Sequence, residues 1–172
     1  DHPFGAVKLV STERGLIVVD EYLERNKSFV EHALELKRMA NSPSTRWGIN
    51  KNEKQPMIEL GQHKIFCSPA HNDIVAGTER VKSWLHANQL FFVGERCPKT
   101  IRQLKSYRWA DNVSPKDQQK RQEKVYKKDD ELPDALRYAL MTWPQLPEPR
   151  IEAPFQRDIS KLPEDMQRII RR

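Results

Sequence analysis

Two β-rich runs stand at the front of the chain, F-G-A-V-K-L-V-S-T at 4–12 and G-L-I-V-V-D-E-Y-L at 15–23, joined through Glu13-Arg14-Gly15. Runs rich in Val and Ile, so closely linked, leave room for only a tight turn and predict an antiparallel hairpin. The period then changes. S-F-V-E-H-A-L-E-L-K-R-M-A has apolar residues at helical spacing and opens with Ser28 and Glu31, an S-x-x-E capping box. Short strands R-W-G-I-N, K-I-F-C-S-P-A and L-F-F-V then alternate with helices K-Q-P-M-I-E-L-G-Q, N-D-I-V-A-G-T-E-R-V-K-S-W-L-H-A-N-Q and P-K-T-I-R-Q-L-K-S-Y-R-W. The helix beginning near Asn72 places Ile74, Val81, Trp84 and Leu85 on one stripe. A hairpin followed by strand–helix alternation predicts a mixed α/β sheet with helices on its faces. A sheet opening with a hairpin at residue 4 also predicts a chain that starts inside its fold.

Composition narrows the partners. The 172 residues carry a net charge of +6, which favours a polyanion. No run of 18 apolar residues predicts a membrane span. Cys67 and Cys97 stand alone and read as reduced thiols, without zinc-site spacing. His2, His63, His71 and His86 are likewise scattered, and read as structural or surface residues. Five of the twelve prolines fall after Trp143, so 1–143 reads as one domain and 144–172 as a C-terminal arm. Residues 110–128 are polar and basic, and lead into a last helix.

That helix opens with K-K-D-D-E-L-P-D-A-L-R-Y-A-L at 127–140, four carboxylates within six positions. Acids in a first helical turn are favoured by the helix dipole, with Asp130 as a cap and Pro133 tolerated. The same oxygen ligands suit Mg²⁺ or Mn²⁺, with Asp130 and Asp134 four apart on one helix face. In the second reading Asp134 binds a metal, and Asp130 or Glu131 holds a second ion or orients its water.

These residues resemble the C-terminal signature of the large terminase subunits of tailed bacteriophages, an acid-rich turn followed by Asp-Ala-Leu-Arg-Tyr-Ala. H-P-F-G-A-V-K-L-V with G-L-I-V-V-D-E-Y-L-E resembles the family's second and third strands. P-M-I-E-L-G-Q through K-S-W-L resembles the segments after its second catalytic strand. The resemblance covers about residues 1–143. It implies an RNase H-like fold, a five-stranded mixed sheet with helices on both faces, whose first strand is missing or truncated here. It also implies a site of three acids and two Mg²⁺ or Mn²⁺ ions that cuts concatemeric viral double-stranded DNA during genome packaging.

Carried over residue by residue, Asp134 matches the third acid. Glu131 stands where many relatives have His. The second acid falls on Asn50, whose amide lacks the charge, with Glu53 as the alternative. The first acid is Asp1 or, preferably, a residue ahead of it. Asp20 and Glu21 do not align with it and read as surface or supporting acids. Lys116, Lys120, Arg121, Lys124, Lys127 and Lys128 are expected to meet DNA phosphates. The family's ATPase motor, an N-terminal domain of the same polypeptide, is a further expected partner, with the portal and the small terminase subunit. No G-x-x-x-x-G-K-[ST] loop occurs here, so this chain is not the motor. Host cytoplasm is the expected location. Two other readings stand beside this one: a catalytically incomplete DNA-binding or docking module, and another RNase H-like nuclease such as a junction resolvase.

Overall fold

The computed structural model of the chain describes residues 3–107 and 129–142. In chain order these form β1 (Phe4–Thr12), β2 (Gly15–Glu24), α1 (Phe29–Ala40), β3 (Trp47–Asn50), α2 (Lys54–Gln62), β4 (Cys67–Ala70), α3 (Ile74–His86), β5 (Leu90–Phe92), α4 (Pro98–Ser106) and α5 (Glu131–Thr142).

The hairpin is present, with β1 antiparallel to β2 from Phe4↔Glu24 to Thr12↔Gly15. Gly15 has φ +133°, and a methyl there would lie 2.2 Å from the Gln89 carbonyl oxygen. That oxygen accepts the Leu16 N–H at 2.8 Å, fastening the turn to the start of β5. No residue with a side chain fits this corner.

One register irregularity shapes both cores. Lys8 pairs with Asp20 but Leu9 pairs with Val18, so Val19 has no counterpart in β1. An extra residue reverses which face each later side chain takes. Before it, Leu16 and Val18 pack with Val81, Trp84, Leu136 and Leu140 from α3 and α5. After it, Tyr22 packs with Ala33, Leu36, Met39 and Leu60 from α1 and α2. On β1 the partners divide alike, with Leu9 in the first core and Ala6 in the second. Helices therefore cover both faces of the sheet, as expected.

The five strands do not form one sheet. β1-β2-β5 make a three-stranded sheet, with β5 parallel to β2, and β3-β4 make a separate parallel pair. α5 packs against β1, β3 and β4 and so spans both sheets. Two narrower expectations need correction. The K-I-F-C-S-P-A strand is confined to Cys67–Ala70. Leu85 is 41% exposed, and the buried stripe of α3 runs through Gly77, Thr78, Val81 and Trp84 instead. Residues three and four apart share a helix face, and Thr78 takes the place expected for a larger apolar residue. The basic 110–128 segment and the 144–172 arm lie outside the described residues.

The capping box forms as read: Glu31 N–H donates to Ser28 Oγ, and Ser28 N–H donates to the Glu31 carboxylate at 2.9 Å. It starts α1 so that His32 turns inward. There His32 Nδ1 meets the Tyr22 hydroxyl at 2.9 Å, and its ring stacks on Phe4 at 4.3 Å. Cys67 and Cys97 are free, and burial pushes both thiols up to about 11, so both are protonated at neutral pH.

Burial holds the folded His32 below its ordinary value, against the pull of Glu31. The unfolded chain titrates this group near about 6.5. Above that pH His32 is neutral in both states and adds no pH dependence. As pH falls below it the unfolded state takes the proton first, so stability drops. Urea midpoints measured from about pH 7.5 down to about pH 5.5 should fall more steeply for the wild type than for His32→Phe. Parallel curves for the two would show that His32 contributes nothing to the slope.

Candidate functional site

The gap between the two sheets is a cleft of about 2160 Å³, walled by β1 on one side and β3 on the other. Asn50, Glu53, Asp129, Asp130, Glu131 and Asp134 all line it. Three of the expected site residues and the Asn50 position thus share one cleft. Asp1, Lys116, Lys120, Arg121, Lys124, Lys127 and Lys128 lie outside the described residues.

Asn50 is the last residue of β3, in register with Ala70 at the end of the parallel strand β4. Ligands in parallel α/β sheets gather at such carboxyl ends. Its side-chain oxygen accepts the Asn52 N–H at 3.1 Å, closing an Asx turn into α2. The same oxygen accepts from Asn72 Nδ2 at 3.4 Å. Glu53 directly precedes α2, with its side chain exposed.

The acids of α5 are brought to the cleft by close backbone contact. A methyl on Gly5 would lie 3.0 Å from Glu131 Cβ, so β1 runs hard against the first turn of α5. Asp129 adopts φ +54°, a left-handed conformation that Asp tolerates. The Asp130 carbonyl then accepts the Asp134 N–H at 2.9 Å, the first turn of the helix. Glu131 and Asp134 sit in that turn, where free N–H groups favour negative charge.

Each of these two acids is held by side chains that the local sequence pattern does not single out. Gln103 of α4, 1% exposed, donates from Nε2 to Glu131 at 3.0 Å and accepts the Leu132 N–H at 2.9 Å. The Tyr107 hydroxyl donates to Asp134 Oδ1 at 3.2 Å. Burial, then the Asp134 charge, pushes the Tyr107 phenol above its ordinary value, so it keeps the proton it donates. Arg137 Nη2 pairs with the same Asp134 oxygen at 3.0 Å, and the Arg137 side chain is 2% exposed. Removing one partner of such a buried pair costs about 3–5 kcal/mol.

Some of these partners left a trace in the sequence. Arg137 follows Asp134 by three positions, the spacing of a helical ion pair. A glycine inside a helix, Gly77, signals close packing. Gln103 is a polar residue on the inward stripe of α4. Nothing local marks Tyr107.

Asp20 and Glu21 support the frame, as read. Asp20 accepts from Arg96 at 3.1 Å and lies 4.0 Å from Arg38. Glu21 points to the opposite face, where its two oxygens accept the Lys99 and Thr100 N–H groups at 2.8 and 2.6 Å. α4 has no cap of its own side chains, so β2 supplies one from across the sheet. His63 is half-buried, and His71 and His86 are exposed.

Among the described residues no three His, Cys, Asp or Glu side chains gather closely enough to hold a metal ion. The carboxylates of α5 line the same cleft as the Asn50 amide, and the bonds just described engage them within the protein.

No family model and no curated protein matches the chain. Solved structures do. The large terminase of a thermophilic bacteriophage, in complex with ATP-γ-S, superposes with a TM-score of 0.66 at 18% identity, over 81% of this chain and 39% of that one. The nuclease domain of g2p, the large terminase of bacteriophage SPP1, was solved with bound Mn. It gives 0.61 at 20% identity, over 80% of this chain and 77% of that one. The P22 large terminase nuclease domain gives 0.64 at 16%, over 82% and 75%. This chain therefore spans about two fifths of the thermophilic phage protein and most of each isolated nuclease domain. Its fold is the RNase H-like fold of large terminase nuclease domains.

Gln103→Ala should destabilise the chain by about 1–3 kcal/mol, because it strips a buried N–H and a carboxylate of their partner. Urea unfolding reads the loss, and amide exchange should rise first at Leu132. An unchanged midpoint would mean that another group takes over the role of Gln103.

Proposed function

We propose that this chain is the nuclease domain of a large terminase subunit, a divalent-metal-dependent endonuclease that cuts concatemeric viral double-stranded DNA during packaging. The observation that supports the reading is that Asp130, Glu131 and Asp134 line the same cleft as Asn50, the last residue of a parallel strand. The SPP1 relative of the same fold holds Mn. Mg²⁺ or Mn²⁺ is the cofactor class that oxygen donors of this kind suit. Asp134 is the first-choice ligand and Asp130 the second.

The donors among the described residues do not complete such a site. Asn50 offers a dipole where a carboxylate is expected. The remaining donor is Asp1 or a residue on a strand ahead of it. β1 and β3 border the cleft with edges that make no ladder to each other, the arrangement a further strand would complete. An N-terminal ATPase domain, the portal and the small terminase subunit are the partners that go with this reading. Among the described residues no helix is long and apolar enough to cross a membrane. A second reading rests on the same shortage of donors: a DNA-binding or docking module without cleavage of its own.

Plasmid nicking in Mn²⁺ separates the two. The chain should cut supercoiled DNA weakly, Asn50→Asp should raise the rate, and Asp134→Ala should abolish it. Asp134→Ala must first be shown folded by circular dichroism, because it leaves Arg137 buried without its anion. No cleavage from folded wild type or Asn50→Asp would favour the docking module.

DNA binding should be independent of sequence and steeply salt-dependent. Changing Lys120, Arg121 and Lys124 together to Ala should flatten the plot of log K against log salt by about one for each phosphate no longer engaged. An unchanged slope would remove residues 110–128 from the DNA interface.

A further inference from the structure

The two sheets share no backbone ladder. The candidate site nevertheless draws Asn50 from one of them, and its acids from a helix whose first turn abuts the other. One side chain links these two parts of the site. Arg137 pairs through Nη2 with Asp134 Oδ1 at 3.0 Å. Through Nη1 it donates to the Asp73 carbonyl at 3.1 Å, in the turn between β4 and α3. Asn72, its neighbour in that turn, reaches the Asn50 side-chain oxygen at 3.4 Å. A path from Asp134 to Asn50 thus runs through one guanidinium.

Local packing holds that guanidinium in place. A methyl group on Gly77 would lie 2.3 Å and 2.5 Å from Arg137 Cγ and Cδ, so the arginine stem passes through a notch that only glycine leaves in α3. The far end lies 4.7 Å from the centre of the Tyr138 ring. A planar fork bonding two fixed acceptors has its plane set by both. A lysine carries its donors on one rotatable ammonium and sets no such plane.

We infer that Arg137 is a positioning residue that sets Asp134 relative to Asn50 across the two sheets, with Gly77 as the notch that seats it. This goes beyond the nuclease reading and does not depend on it, because every bond involved joins residues of this chain.

The test uses the 172-residue chain, metal-free, by NMR. In the wild type, couplings across Cα–Cβ of Asp134 should report one rotamer, and the Arg137 guanidinium should rotate and exchange slowly. In Arg137→Lys and in Gly77→Ala the Asp134 couplings should average, and the Asn50 and Asn52 amide resonances should move. Gly77→Ala is the sharper variant, since it alters neither charge and alanine otherwise favours helices. A single Asp134 rotamer with unmoved Asn50 and Asn52 resonances in both folded variants would overturn the proposal. So would fast guanidinium averaging in the wild type, which needs no variant to fold. Absence of DNA cleavage with the expected NMR changes present would count against the nuclease reading alone.

Discussion

The ion pair between Arg137 and Asp134 is the interaction on which the arrangement of the site depends. A guanidinium this deeply buried is tolerated only with its charge opposed and its donors directed. Asp134 supplies the charge, and the Asp73 carbonyl takes a second donor. In return α5 is fixed in register with α3, and the first turn of α5 is fixed beside β1. The acids at the head of α5 are therefore not a loose surface cluster. Gln103 and Tyr107 from the α4 side, and Arg137 from within α5, decide where they point.

Four carboxylates crowded into six positions would repel one another in an isolated peptide. Here that repulsion is offset by the helix start and by directed donors: the free N–H groups of the first turn, an amide on Glu131, and a phenol and a guanidinium on Asp134. The groups that stabilise Glu131 and Asp134 also hold them in the lining of the cleft.

Much of the frame was legible. The hairpin, the capping box at Ser28 and Glu31, α2, and the inward Trp84 follow from local pattern, because each is decided by residues close in sequence. The likeness of 127–140 to a terminase signature also led to the observed fold. Other features depend on tertiary neighbours. Nothing in V-V-D-E-Y announces that Val19 lacks a partner, since a bulge exists only relative to the opposing strand. The split into two sheets is a matter of which edges find partners. Leu85 falls on the apolar stripe by count, yet the neighbouring helix passes over Gly77 and Thr78 instead. At the candidate site, Asp130, Glu131, Asp134 and Asn50 all line one cleft. Glu131 and Asp134 are held by Gln103, Tyr107 and Arg137, and only the spacing of Arg137, the inward polar Gln103 and the mid-helix Gly77 hinted at this.

The reversal at Val19 has a consequence for how the molecule absorbs change. Val18 and Tyr22 are four residues apart on one strand, a separation that in a regular strand places both side chains on one face. Here they belong to opposite layers, one under α3 and α5, the other under α1 and α2. Substitutions at sites with no shared partners combine additively. Sequence drift at these two near neighbours is therefore independent, as though the strand passed through two separate proteins. Val18 is tied instead to Trp84 and Leu136, far away in the chain, and Tyr22 to Ala33 and Leu36.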